Sequence, residues 1–261
     1  MRARHVIVAT GPERQSYTPE WRGQETFQGD IIHASEFRHA DDYVGKKVLI
    51  VGSSNSGVDI GNYLSEVAIA PSWVLVRNGP TIVPAYVFGI SAHIPLMWLK
   101  PLPIKMQDFM VALLARIFLG NLRKYGFPKP PAGAITRDRE EGVTFGVDNG
   151  FVKALKAGLF TVVPEISSFS EQAVHLIDGR TIHPDAVICA TGYRPGLESL
   201  VGHLDVLNER GKPCFFADQA SSDHPGLWFF GLNSSIYGYL YARKHEAPPL
   251  AQKISLSLQG Y

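Results

Sequence analysis

Cysteine is scarce: the 261 residues contain only Cys189 and Cys214. Two cysteines give neither a disulfide framework nor a ligand spacing for zinc. The nine histidines form no HxxxH or HExxH pattern, so no metal site is expected. A surplus of charge is also missing. Lys and Arg number 25 and Asp and Glu 24, a net charge of +1, which provides no electrostatic footprint for nucleic acid. No secretory signal is expected from these opening residues, because the apolar run after Met1-Arg2-Ala3-Arg4 extends only from His5 to Thr10. Few cysteines and no signal point to a reducing, cytoplasmic setting. Nor is there an unbroken apolar run of membrane-spanning length. Asn78 to Leu99 carries no charge other than a titratable His93, but Pro80, Pro84, Gly89 and Pro95 interrupt it, and a span needs about 20 predominantly apolar residues. With the apolar Phe109–Leu119 and the cations Arg123 and Lys124 following, residues 81–130 read as a buried helical insertion, a reading compatible with peripheral membrane contact.

What is present is globular. Hydrophobic residues make up 45% and charged residues 19%, and the length suits one large α/β domain or two domains sharing strands. One internal echo stands out: Val6-Ile7-Val8-Ala9-Thr10-Gly11 matches Val187-Ile188-Cys189-Ala190-Thr191-Gly192, each followed by a proline, Pro12 and Pro195. Both read as buried strands entering tight turns. The pair suggests that the chain leaves one sheet after the first strand and returns to it at the second, with a domain inserted between. A buried-looking strand this close to Met1 also leads to the expectation that a further portion precedes it.

Between the two echoes lies a βαβ unit. Lys47 to Val51 is an apolar run without alternation, as in a parallel strand covered on both faces. Gly52-Ser53-Ser54-Asn55-Ser56-Gly57 is a small-residue loop, and Val58, Ile60, Leu64 and Val67 continue with near-helical spacing up to Pro71. Trp73 to Val76 is the next strand. A pyrophosphate can rest at the start of such a helix, where unbonded amides and the helix dipole favour negative charge. Gly52 permits the sharp turn and Gly57 lets the helix approach the sheet. Ser54 replaces the middle glycine of GxGxxG. At the end of the following strand, where an NAD site carries Asp or Glu, stands Arg77, which favours the 2′-phosphate of NADPH. The competing readings are a purely structural turn and a solvated strand-end charge. Further on, 150–158 reads as a short helix and Phe160–Val163 as a strand. Ala173–Ile177 reads as a hairpin arm turning at Asp178-Gly179, and Leu227–Gly231 as a strand entering a turn. Residues 235–256 are helix-like, except that Pro248-Pro249 is expected to break or begin a helix.

Phe27-Gln28-Gly29-Asp30-Ile31-Ile32-His33-Ala34-Ser35-Glu36-Phe37 (FxGxxxHxxxF) precedes the loop. Together with Ala190 to Tyr193 and Pro225 to Gly231, in that order, it resembles the fingerprint of flavin-containing monooxygenases and their Baeyer–Villiger relatives. The resemblance implies an α/β, two-dinucleotide-binding-domain flavoprotein fold, with a Rossmann-like NADPH domain inserted in a partial FAD-binding domain. On this reading residues 1–42 are FAD-domain remnant and linker, 43–184 the NADPH domain, and 185–261 the C-terminal part of the FAD domain. The family's first GxGxxG, which holds the FAD pyrophosphate, is absent, and so is its active-site asparagine, so no catalytic residue can be assigned. Arg38, where Baeyer–Villiger enzymes carry Trp, disfavours ketone oxygenation. The implied activity is FAD- and NADPH-dependent oxygenation of a small nucleophilic substrate (N, S or activated carbon) with O2, through a C4a-hydroperoxyflavin. An NADPH-dependent flavin oxidoreductase that does not oxygenate, or a non-catalytic NADPH-binding remnant, are the alternatives. The implied cofactor residues are Gly52 to Gly57, Arg77, Thr10, Gly11, Ala190, Thr191, Gly192, Asn233, Ser234 and Ser235. Phe27, Gly29, His33, Ser35 and Phe37 are implied to form a hinge between the domains.

Overall fold

A computed structural model of the chain describes residues 3–259 except 210, 217, 218, 220, 222 and 234. The chain divides into two compact units. One is continuous, Tyr17–Gly192, and the other is built from both flanks, Met1–Ser16 with Tyr193–Tyr261. These boundaries fall at 16/17 and 192/193, whereas the sequence reading put them at 42/43 and 184/185.

The first flank supplies β1 (Val6–Val8) and β2 (Gln15–Ser16). The chain then enters the continuous unit through β3 (Asp30–His33), β4 (Val48–Val51), α1 (Asn55–Leu64) and β5 (Ser72–Leu75). An excursion follows: β6 (Ile82–Pro84), the hairpin β7 (Tyr86–Val87) and β8 (Ile90–Ser91), then α2 (His93–Leu99), α3 (Ile104–Leu119), α4 (Ala134–Glu141) and β9 (Gly146–Asp148). The unit closes with α5 (Phe151–Lys156), β10 (Phe160–Val163), the antiparallel β11 (Ile166–Ser170), β12 (Ala173–Leu176) and β13 (Thr181–Ile182), and finally β14 (Ala186–Cys189).

The centre of this unit is a five-stranded parallel sheet in the order β10-β5-β4-β14-β3. Every residue of β4 and β14 is buried, which is why their sequences do not alternate. Alternate side chains enter two different cores. Val48, Ile50, Val74 and Ile188 pack with Val58 and Leu64 of α1 and Phe151 of α5. Leu49, Val51, Trp73, Val187 and Cys189 pack on the opposite face against Phe169, Val174 and Ile182 of the small antiparallel sheet. The result is three layers: helices, parallel sheet, antiparallel sheet. Each fully buried Val, Leu or Ile contributes about 1.5–3 kcal/mol through removal from water.

One expectation is overturned here. Val187–Gly192 does not return to the sheet of Val6–Gly11. β1 pairs in parallel with β16 (Leu227–Phe229), while β14 lies between β3 and β4. The cause lies just ahead of β14. The Asp185 amide donates to the Lys47 carbonyl at 2.8 Å, and the Asp185 carboxylate accepts from the Lys47 amide at 2.8 Å. These two bonds, one between backbones and one to the Asp185 side chain, help set β14 beside β4, a pairing that two similar apolar runs cannot reveal.

In the excursion, Asp108 of α3 caps α4, accepting from the Ile135 amide at 2.7 Å. The outer face of α3 exposes Met106, Phe109, Leu113 and Ile117, and Phe88 and Trp98 are exposed as well. The region read as buried is therefore apolar on its outer side also. Among the described residues no helix is long and apolar enough to cross a membrane.

The flank unit adds β15 (Tyr193–Arg194), antiparallel to β2, α6 (Glu198–Val201), β16, and α7 (Tyr239–Gln259). Its core gathers Val8, Leu197, Val206, Leu227 and Phe229. α7 runs through Pro248 and Pro249, where a break was expected. The two prolines forfeit bonds to the carbonyls of Lys244 and His245, and both of those residues are exposed, so water can satisfy what the helix loses.

Candidate nucleotide site

The loop from β4 to α1 is built around glycine. Gly52 has φ +107°, and a Cβ there would meet the Ala190 carbonyl oxygen at 2.5 Å. A Cβ on Gly57 would meet the Gly52 carbonyl oxygen at 2.1 Å and the Ala190 methyl at 3.4 Å. Gly52, Gly57 and Ala190 therefore interlock, folding the loop against the end of β14. The Gly52 amide donates to the Leu75 carbonyl at 3.1 Å, which fixes the loop to β5 as well.

α1 starts at Asn55, with Ser54 as its extended N-cap residue and no side-chain capping bond. The amides of Asn55, Ser56 and Gly57 have no carbonyl within the helix to bond. They form the positive end of the helix dipole. Ser53 is buried, whereas Ser54 and Asn55 are exposed at the mouth. Deeper in the helix, Gly61 lies against the Phe151 ring, where a Cβ would come within 2.4 Å. Desolvation raises the Asp59 carboxyl above its ordinary range.

Arg77 follows β5 by two residues. Its side chain is 75% exposed, and its Nε lies 3.9 Å from the Glu165 carboxylate. Loop, Ala190 and Arg77 thus share the C-terminal edge of the parallel sheet, the edge where open α/β sheets bind ligands.

The FxGxxxHxxxF segment is divided between the two ends of β3. Phe27 and Gly29 lie at the amino end. The Phe27 ring is 5.4 Å from that of Phe169, and a Cβ on Gly29 would strike the Phe27 ring and the Asp185 carbonyl. These two residues are not brought to the loop. His33, Ser35 and Phe37 lie at the carboxyl end. Phe37 stacks on Tyr43 at 5.5 Å and on Tyr63 of α1 at 6.3 Å, tying the segment to the nucleotide helix.

His33 is 3% exposed. Its Nδ1 accepts from the Ser35 amide at 3.1 Å, and its Nε2 is 3.1 Å from the Gly192 carbonyl. An amide can only donate and a carbonyl only accept, so the proton sits on Nε2. The His33 amide donates to Glu36, completing a capping box. The Gly192 carbonyl also accepts from the Tyr17 amide at 3.1 Å, and the Thr191 hydroxyl donates to the Tyr17 carbonyl. His33 therefore anchors the place where the chain enters and leaves this unit. Beneath it, burial first and the Glu36 charge second push the Cys189 thiol up to about 12.

In the flank unit, Gly11 has φ +77° with open space at its Cβ position. Thr10 and Asn233 are exposed. The Asn233 carbonyl accepts from Arg243 at 2.6 Å, and the Ser235 hydroxyl accepts from the Tyr237 amide at 3.3 Å. A turn closed by the Gly238 amide on the Ser235 carbonyl separates both residues from α7. Ser234 lies outside the described residues. Sequence reasoning missed Glu36 and Glu165. The first was legible as a carboxylate at the third position of a helical turn. The second gave no signal, because it meets Arg77 only through strand pairing.

The family profile described as flavin-binding monooxygenase-like matches residues 4–204. The chain is 36% identical over 211 residues to a probable indole-3-pyruvate monooxygenase, YUCCA3 of Arabidopsis thaliana, covering 80% of this chain and 48% of that protein. It is 36% identical over 209 residues to indole-3-pyruvate monooxygenase YUCCA8 of Oryza sativa subsp. indica, covering 79% and 49%. The chain spans about half the length of these curated relatives. Among solved structures, a flavin-containing monooxygenase from Stenotrophomonas maltophilia superposes with a TM-score of 0.62 at 24% identity, over 95% of this chain and 63% of that one. An oxidised steroid monooxygenase bound to NADP gives 0.69 at 17% identity, over 98% and 62%. These likenesses show the fold, the α/β two-dinucleotide-binding-domain flavoprotein class expected from the sequence.

Proposed function

The chain belongs to the flavin-binding monooxygenase-like family, and we propose on that footing that the unit Tyr17–Gly192 binds NADPH at the loop Gly52–Gly57. The observation that carries this reading is the interlock of Gly52, Gly57 and Ala190. It packs the loop tightly between β14 and the start of α1 and so fixes where the unbonded amides of Asn55, Ser56 and Gly57 lie. The residues fit a dinucleotide. The amides of Asn55, Ser56 and Gly57 and the Ser54 hydroxyl would hold the pyrophosphate, and Arg77 would hold the 2′-phosphate. For FAD this chain offers Thr10, Gly11, Asn233 and Ser235, with no second glycine-rich phosphate loop.

The activity of this reading is FAD- and NADPH-dependent oxygenation of a small nucleophilic substrate with O2. Bound flavin would supply oxygen activation and bound nicotinamide the hydride. The chain's own residues bind and orient. His33 has a positioning role, since both of its ring nitrogens are committed to backbone groups. Ser35 fixes the His33 tautomer, and Phe37 carries that constraint to α1. The relatives named as indole-3-pyruvate monooxygenases add an aromatic 2-oxo acid, whose ketone is electrophilic, as a second substrate class to try beside a nucleophilic amine or sulfide. Peripheral membrane contact belongs to the same reading, supported by the exposed apolar stripe of α3.

The test is NADPH oxidation and O2 uptake by the purified, FAD-loaded protein without substrate, with an amine or sulfide, and with an aromatic 2-oxo acid. Oxygenated product in proportion to NADPH consumed supports the proposal. NADPH consumption without oxygenated product favours a flavin reductase. No consumption together with retained NADPH binding favours a non-catalytic nucleotide-binding protein.

A further inference from the structure

The partner of Arg77 bears on which nucleotide the site prefers. Leu75 of β5 and Val163 of β10 are registered neighbours on adjacent parallel strands. Arg77 and Glu165 each lie two residues beyond that pair, so the same edge of the sheet presents a guanidinium and a carboxylate side by side. The side chains approach to 3.9 Å, and the backbone beneath them is pinned. The Val76 amide donates to the Val163 carbonyl at 3.0 Å, and the Ile177 amide donates to the Glu165 carbonyl at 3.0 Å. Ile166, next in sequence, is buried in the core between the two sheets. Glu165 is thus pinned at its backbone, while its side chain is 48% exposed at the rim.

Resting on the reading of this edge as the seat of the adenosine ribose, we infer that Glu165 is a specificity-determining residue that weakens the site's preference for a 2′-phosphorylated nucleotide. The 2′-phosphate needs the Arg77 guanidinium, which Glu165 already engages, and the carboxylate repels the phosphate dianion at close range. A nucleotide without the 2′-phosphate meets neither obstacle, and its ribose hydroxyls can donate to the carboxylate. Arg77 supplies selectivity for NADPH and Glu165 opposes it, so NADH remains a usable second ligand. The pair is exposed, so the opposition is modest and weakens with salt.

The experiment is calorimetric titration of the 261-residue chain with adenosine 2′,5′-bisphosphate and with 5′-AMP, which differ only in the 2′-phosphate. Wild type is compared with Glu165→Gln and Glu165→Ser. Both substitutions fall on an exposed side chain, and thermal unfolding checks that the fold is kept. The expected result is tighter bisphosphate binding, by about threefold, the size of an exposed charge pair. 5′-AMP binding stays equal or weakens, and the gain shrinks in high salt. If the wild type prefers the bisphosphate and neither variant changes that preference, the role given to Glu165 is wrong and the nucleotide reading stands. If the wild type binds neither probe, the nucleotide reading falls and this inference falls with it.

Discussion

Gly57 has no room for even a methyl group, since a Cβ would lie 2.1 Å from the Gly52 carbonyl oxygen, a backbone atom that cannot swing away. Gly57→Ala should therefore force α1 off the sheet. The expected outcome is a loss of about 1–3 kcal/mol of stability, the usual cost of overpacking, read by denaturant unfolding, with loss of nucleotide binding beside it. A second residue-scale expectation concerns the cysteines. Cys214 is exposed and Cys189 buried. The Cys189 thiol moves from its ordinary 9.0 to about 12 in the fold. A raised folded value means that the native state keeps its proton while the unfolded state loses it. The stability this provides is complete below pH 9.0 and is lost as pH rises towards about 12. A thiol reagent at pH 8 should modify Cys214 alone in the native chain and both cysteines after unfolding. Rapid modification of Cys189 in the native state would contradict the packing of β14.

At the scale of elements, local pattern and long-range pairing differ in how well the sequence displays them. β4, α1 and β5 were legible because a run buried on both faces, a glycine loop and a helical repeat are all written within 30 consecutive positions. The place of β14 was not legible, since its sequence nearly repeats that of β1, and what sets it apart is long-range pairing, the bonds between Asp185 and Lys47 among it. The ladder of β6 with β9 joins segments separated by the whole excursion and left no local trace. α7 defeated a sound local rule because exposure of Lys244 and His245 lets water replace the bonds its prolines remove. Within the site, Gly52 and Gly57 were readable from turn chemistry, whereas Glu165 depended on the β5–β10 register. The apolar stripe of α3 leads to an element-scale prediction. Lys105 and Arg116 are exposed alongside Met106, Phe109, Leu113 and Ile117, an arrangement suited to an anionic bilayer surface. The chain should float with anionic vesicles at low salt, and Phe109→Ser with Ile117→Ser should release it. Failure of the wild-type chain to float would remove peripheral contact from the functional reading.

For the whole molecule, the consequence of the topology is that one continuous segment holds two of the hydrophobic clusters, the complete parallel sheet and the candidate nucleotide loop. Residues 17–192 produced alone should unfold cooperatively and bind adenosine 2′,5′-bisphosphate with an affinity within about threefold of the full chain, a difference of under 1 kcal/mol. Loss of cooperative unfolding would show that the flanks are needed for the fold of the insert. The most direct test of the central claim is the dissociation constant of the 261-residue chain for NADPH and for NADH, with and without Arg77→Asp. NADPH should bind more tightly than NADH, and the substitution should weaken NADPH by about tenfold or more, the size of a lost charge-assisted contact, while leaving NADH little changed. A wild-type chain with no affinity for NADPH, or a substitution that leaves NADPH binding intact, would contradict the placement of the 2′-phosphate at the end of β5.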